Sequence, residues 1–248
     1  MLPVMDTGPF RHSQRAPKRG IMVGVSPRPA QPDLRRALID AAATMLAESG
    51  PDGLSTRQLT REVGVSTTAL YTYFGGMDDL VRAMVYEGFA RLNSVLTATA
   101  DSDDPVADVV RLGRIYRENA LRHRHLYAVM FGGSALAGFS LTDEDRGHGL
   151  YTLDLLVTAV ERCIRAGRFR AGDAALMAHQ LWISIHGIVT LEIGGYLFEP
   201  NDADACFDAQ VCTLLVGSGD ELERARESIA YAVALTATTA SEESAAQR

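Results

Sequence analysis

The chain is poor in the residues that mark several large classes of protein. It has three cysteines in 248 residues, Cys163, Cys206 and Cys212, and no two are spaced as CxxC. An odd, scattered set excludes a disulfide framework and offers no zinc-finger spacing. The expectation is buried free thiols in a reducing compartment, the cytoplasm. There is one tryptophan, Trp182. No uninterrupted apolar run reaches the length of a membrane span; the longest, around Met177–Leu191, is broken by Gln180, Ser184 and His186 and reads as a buried helix. No GxSxG elbow, HExxH, phosphate-loop lysine or GxGxxG after a strand is present, and Gly132-Gly133-Ser134 lacks the elbow spacing. These absences argue against an enzyme. The N-terminus has charges early (Asp6, Arg11, Arg15, Lys18, Arg19) and no apolar stretch before a small-residue cleavage site, so no signal peptide is expected.

Positive charge is also scarce overall, with a net charge of −7, but it is unevenly placed. Residues 1–76 carry nine Lys/Arg against six Asp/Glu, and residues 77–248 carry fifteen against twenty-five. A basic end on an acidic body suits a protein that touches phosphate with one end only.

Six of the nine prolines fall in residues 1–32, which have little apolar periodicity. This segment reads as a disordered basic arm, either tracking DNA or preceding an alternative start at Met5 or Met22. From Asp33 apolar residues recur at helical spacing (Leu34, Leu38, Ala41/Ala42, Met45/Leu46) until Gly50-Pro51-Asp52-Gly53 stops the helix. A long helix is predicted from Met77 to about Thr99, and another from Pro105 to about His123 behind the cap Asp104. A short helix covers 126–131, a loop 132–138, and helices follow at 151–166, from Asp173 to about Phe198, at 203–216 and at 221–237. Sustained two-residue alternation is lacking from 33 to 237, so the fold class is all-α. The domains are an arm (1–32), a DNA-binding domain (33–76), a ligand-binding and dimerisation domain (77–237) and a disordered tail (238–248).

The informative stretch runs from Leu54 to Phe74. Ser55 with Gln58 three residues on forms a capping box. Leu59 and Val63 give one short helix an apolar edge, and Gly64 supplies the left-handed residue of a tight turn. Val65 plugs the turn, Ser66 caps the next helix, and Leu70 and Phe74 form its apolar pair. Two short helices joined by a three-residue turn have helix-turn-helix geometry. An ordinary αα-hairpin fits the spacing alone. On the second helix, Thr67, Thr68, Ala69, Thr72 and Tyr73 are small or hydrogen-bonding and suit base edges and thymine methyls. Arg57 and the Tyr71 hydroxyl suit phosphate. Thr56 and Ser66, at the helix starts, complete the candidate DNA-contacting set.

The same residues resemble the N-terminal domain of the TetR family of one-component regulators. The resemblance is carried by Ala47-Glu48-Ser49-Gly50, Leu54-Ser55-Thr56-Arg57, Val63-Gly64-Val65-Ser66, Ala69-Leu70-Tyr71-Thr72-Tyr73-Phe74 and Asp78-Asp79-Leu80, over about residues 34–85. It implies a homodimer on a palindromic operator, released when a small molecule binds the C-terminal domain. It implies repression, with double-stranded DNA, a second copy and the small-molecule effector as partners; no cofactor is expected, and the N-terminus and apolar runs already point to the cytoplasm and away from a membrane. One departure is Met77, where the family usually has a phosphate-contacting basic residue. In the C-terminal half, Trp182-Ile183-Ser184-Ile185-His186-Gly187 resembles one TetR subfamily, and Leu126-Tyr127 to Met130-Phe131 its short pocket-side helix.

Trp182 and His186, four apart, share a helix face. The expected pocket is lined by Tyr116, Tyr127, Met130, Phe131, Trp182 and His186, which favours a lipophilic or aromatic ligand. Each of these residues also reads as ordinary core. His179 and His186, seven apart, lack a near third ligand and make a poor metal site. Gly187, Gly194 and Gly195 allow close helix approach, and the family's last two long helices pair with their mates, so the dimer is expected there. A protein-binding adaptor that kept an inactive helix-turn-helix is the other alternative, since the recognition face has few basic residues.

Overall fold

The computed structural model describes residues 31–131 and 141–246, with the backbone alone for residues 31, 32, 51 and 237–246. Most of the arm expected over 1–32, the loop expected over 132–138, and residues 247–248 lie outside the described residues. Eleven α-helices and no strand occur among those described: α1 (Gln31–Ser49), α2 (Thr56–Val63), α3 (Thr67–Phe74), α4 (Met77–Thr97), α5 (Pro105–Arg122), α6 (Arg124–Phe131), α7 (Asp143–Gly147), α8 (Leu150–Arg165), α9 (Ala174–Ile193), α10 (Ala203–Ser218) and α11 (Leu222–Ala246). The all-α expectation is met.

Local chemistry sets most boundaries. Ser55 and Ser66 accept the Gln58 and Ala69 amides at 3.3 Å and start α2 and α3, and Gly64 at φ 74° ends α2. Asp104 caps α5 through the Val106 and Ala107 amides ahead of Pro105 at the first position. Three expectations need correction. The long ninth helix stops at Ile193, not near Phe198, because Gly195 takes φ 73° and the Tyr196 amide turns back to the Leu191 carbonyl. The last helix continues to Ala246, through a segment read as a disordered tail. Helix α7 was not anticipated; its five residues are too few for an apolar period, and Thr142 with Asp145 holds it by a reciprocal capping box.

Two cores form. The first joins α1, α2 and α3 to the first half of α4 through Leu38, Ile39, Leu59, Leu70, Phe74 and Leu80, and it also takes Leu126, Val129 and Met130 from α6. The second fills the body between α4, α5, α8, α9 and α10 around Val106, Val110, Val160, Leu181, Val189, Phe207 and Leu215. Helix α4 therefore passes from one core into the other, and the packing does not divide at residue 76. Arg168 clamps the body by donating to both Asp220 oxygens at 2.7 Å, with Ser228 and Asp104 alongside. Arg117 grips Glu192 in the same two-pronged way, tying α5 to α9.

Helix α9 does not read as the buried helix its composition suggests. Its mean hydropathy is 1.3, and length and composition alone would let it cross a membrane, yet only 28% of the apolar window is buried inside the chain. Leu176, Ile183 and Leu191 are 46–59% exposed. The cysteines also differ from expectation: Cys163 is buried, whereas Cys206 and Cys212 are half-buried.

Candidate DNA interface and ligand cavity

Helices α2 and α3 are each eight residues long, too short to hold by themselves. Leu59 and Leu70 are fully buried and Phe74 nearly so, and these anchor the pair on α1 and α4. The Arg35 guanidinium lies 5.4 Å from the Phe74 ring centroid. That leaves Ser66, Thr67, Thr68, Tyr71 and Thr72 exposed along one side of α3. Tyr71 is 55% exposed, high for an aromatic residue. Arg57 and Arg61 of α2 are exposed, with no ion pair to either among the described residues. Thr72 donates its hydroxyl hydrogen to the Thr68 carbonyl at 2.9 Å, so toward a base it can only accept. Thr56 and Ala69 are half-buried, and Tyr73 is half-buried against the head core. Met77 likewise packs on that core, so its position adds apolar contact where a phosphate ligand would be cationic.

The body holds a partly open cavity of about 150 Å³ between α4, α5, α8 and α9. Phe89, Leu92 and Leu96 form the α4 wall, Tyr116 and Gly113 the α5 wall, Leu153 and Leu156 the α8 wall, and His179, Trp182 and Ile185 the α9 wall. Of the six residues expected to line a pocket, Tyr116, Phe131 and Trp182 do so. Tyr127 and His186 stand behind Tyr116: the Tyr127 hydroxyl is 2.7 Å from His186 Nδ1, and the Tyr116 hydroxyl is 3.1 Å from both. Met130 is elsewhere, its sulfur packed where a Cβ on Gly88 of α4 would fall. The α4 wall and His179 carry no pocket signal in the sequence: the α4 residues show the ordinary period of a core helix, and His179 stands out there only as a poor metal ligand. No group of three metal-ligating side chains gathers among the described residues.

The polar cluster behind the cavity titrates abnormally. Burial, then Tyr127, pushes the Tyr116 phenol well above its ordinary value, opposed by the Trp182 indole. Burial pushes Tyr127 up to about 12, against hydrogen bonds from Tyr116 and Thr190. Burial lowers His186. With Nδ1 as an acceptor the two phenols supply two hydrogens for three contacts, so two of the three are hydrogen bonds at any one time. Phe131 is its apolar hub, meeting Phe89 edge-on at 5.9 Å, Tyr127 at 4.9 Å, His186 at 4.6 Å and Trp182 at 6.4 Å.

Helix α7 straps the cavity rim to the end of α4 that carries the helix pair. Arg146, Gly149 and Leu150 line the rim. Asp145, next to Arg146, reaches α4 and accepts from Arg82 Nε at 3.0 Å and the Tyr86 hydroxyl at 2.9 Å. His148 stacks on Tyr86 with centroids 3.8 Å apart. Burial opposes ionisation of Asp145, but bonds from the Thr142 amide and hydroxyl, Tyr86 and Arg82 outweigh it and hold the carboxyl at about 2.

A capped helix pair that presents a hydroxyl-rich helix, seated on a helix running into a larger all-α body with a cavity, defines a helix-turn-helix transcription regulator. The sequence profile of the bacterial regulatory proteins of the tetR family matches residues 38–84, and that of the tetracyclin repressor-like C-terminal domain matches residues 109–214. A Rhodococcus protein of unknown function is 33% identical, with a TM-score of 0.63 over 75% of this chain and 96% of its own. An uncharacterised HTH-type transcriptional regulator of Mycobacterium tuberculosis is 26% identical over 81% of this chain and 88% of its own. A TetR family transcriptional regulator from Thermus thermophilus shares the fold, with a TM-score of 0.59 at 19% identity over 72% of this chain and 97% of its own. The chain belongs to the TetR family and is a transcriptional regulator with a DNA-binding domain.

Proposed function

We propose that this regulator works in the cytoplasm as a homodimeric repressor. It binds a palindromic operator through α2 and α3 and is released when a small lipophilic molecule enters the cavity. The observation that carries the reading is that α4 serves both sites: its first half is core to the helix-turn-helix, and Phe89, Leu92 and Leu96 of its second half wall the cavity. A ligand that prefers one setting of α4 therefore changes the setting of α3, and only differential affinity for the two settings is needed.

On this reading Thr67, Thr68, Ala69, Thr72 and Tyr73 read the major groove, while Thr56, Arg57, Ser66 and Tyr71 hold phosphate. Residues 33–76 are the DNA-binding domain and residues 77–237 the effector and dimer domain, with α4 shared. The Trp182-x-x-x-His186-Gly187 motif supports a subfamily in which that helix lines the effector site. The second copy docks on α9 and α10. Leu176, Gln180, Ile183 and Leu191 make one exposed stripe with half-buried Gly187 within it, and Ala205, Ala209, Thr213 and Val216 a second on the adjoining helix. A Cβ at Gly187 would meet nothing within 4 Å, which leaves room for a partner helix to approach closely. The test is a gel shift of the full chain on the DNA upstream of its own gene. A discrete complex competed by that DNA and not by unrelated duplex is expected; uniform competition by any duplex overturns the reading.

A further inference from the structure

The cavity rests on the reading above as an effector site, and its lining says which chemistry it accepts. Four aromatic rings, Phe89, Tyr116, Phe131 and Trp182, face it. Its polar atoms differ in what they have left to offer. The Arg146 guanidinium at the rim is 60% exposed and donates to the Leu141 carbonyl and to Asp143, so part of its donor set is taken and water screens its charge. Thr152 donates its hydroxyl hydrogen to the Gly149 carbonyl at 2.7 Å. The Tyr116 hydroxyl is engaged by Tyr127 and His186.

His179 is different. Its Nδ1 is 2.7 Å from the Ala175 carbonyl oxygen. A carbonyl only accepts, so Nδ1 carries the hydrogen, and in the neutral ring Nε2 keeps a bare lone pair. His179 is a lining residue of the cavity, and its Nε2 has no hydrogen-bond partner among the described residues. The Trp182 ring stands edge-on beside it at 6.4 Å. In the apolar part of the lining the free capacity is therefore acceptor capacity, at His179 Nε2 and the Thr152 oxygen, since the Trp182 indole is engaged by Tyr116 and the remaining donors of Arg146 sit at the exposed rim. A carboxylate would be set against that lone pair and the acidic rim. An ammonium would find no carboxylate on the lining. An ammonium would leave water without a counter-charge, and a carboxylate with none beyond the exposed, already paired Arg146. For scale, a cavity of about 150 Å³ lined by aliphatic and aromatic side chains holds a benzene ring.

We propose that the effector is an uncharged lipophilic molecule of about one ring's size carrying a hydroxyl, whose hydrogen His179 Nε2 accepts.

Calorimetric titration of the full chain with phenol, toluene and benzoate tests this. Phenol is expected to bind about tenfold tighter than toluene, the worth of one neutral hydrogen bond at about 1.4 kcal/mol, with benzoate weaker than phenol by at least as much. In His179→Leu, phenol and toluene should bind alike. Independently of any variant, the nitrogen resonance of His179 Nε2 should move on adding phenol and stay on adding toluene. A tighter benzoate, a phenol preference that survives His179→Leu, or an Nε2 resonance indifferent to phenol overturns the inference. Toluene binding as well as phenol removes the hydroxyl but leaves the cavity as a ligand site. Failure of all three probes to bind removes the effector site itself.

Discussion

Asp145 and Arg82, 63 residues apart, are joined by a 3.0 Å hydrogen bond in which the carboxylate is 2% exposed and the guanidinium 36%. Arg82 also pairs with Asp79 at 2.8 Å, in the first turn of α4. Through these two residues the rim of the cavity is fastened to the end of α4 that abuts α3. Removing the carboxylate in Asp145→Ala should cost about 1–3 kcal/mol of stability, because Tyr86 and the Thr142 amide lose their acceptor. The carboxyl is depressed in the folded chain, so its contribution is complete above its ordinary value of about 3.9 and is lost as pH falls toward about 2. Urea denaturation between pH 5 and pH 2 checks this: the native chain should lose stability over that range more steeply than Asp145→Ala.

His186 predicts a second pH window. Burial lowers it, so below its ordinary value of about 6.5 the unfolded chain takes up a proton that the folded chain refuses. Stability should fall as pH is lowered from 7 to 5. In His186→Gln, which keeps an acceptor for Tyr127, that slope should flatten. An unchanged slope in this variant would assign the loss to other groups, His123 first, which burial and Arg91 also lower.

On the recognition helix, Thr68→Ala should weaken operator binding by about 1–3 kcal/mol with little loss of fold, since Thr68 is exposed. Tyr73 is half-buried, so Tyr73→Phe is the cleaner probe: its effect on binding isolates the hydroxyl from the ring's packing. Arg57→Ala should weaken all DNA about equally and lower the salt dependence by roughly one phosphate. Fluorescence anisotropy at several salt concentrations separates the two kinds of contact.

At the α9 face, Ile183→Glu places a charge at a position 59% exposed in the single chain. Folding should survive. Association should not, because a dimer would bury that carboxylate without a partner. Sedimentation should give a dimer for the native chain and a monomer for the variant at micromolar concentration. A monomeric native chain, on and off DNA, would remove the dimer.

A Cβ at Gly149 would fall 2.2 Å from the Phe89 ring, which cannot yield as a flexible chain end does. Gly149→Ala should therefore push Phe89, a cavity wall, and cost about 1–3 kcal/mol of stability. Trp182→Ala should instead enlarge the cavity, leave operator affinity nearly intact and impair release by ligand. Thermal melting and operator release by phenol distinguish the two effects.

The sequence by itself determined the head. Ser55, Gly64 and Ser66 act on amides and carbonyls within four residues, and Leu59, Leu70 and Phe74 repeat at a helical period, so both helices, their turn and the exposed threonine face are local consequences of spacing. It also placed Trp182, Phe131 and Tyr116 correctly on helices. Tertiary structure decided which of those helices meet. His186, by its spacing from Trp182, reads as a pocket residue, yet it lies behind Tyr116 in a three-atom polar cluster. Met130 adjoins Phe131 in sequence but packs on Gly88, because successive residues on a helix point about 100° apart. The α4 wall and α7 had no distinguishing signal: Phe89, Leu92 and Leu96 look like any buried stripe, and Asp145 acts only through Arg82 and Tyr86, some 60 residues away, a pairing that no local period encodes.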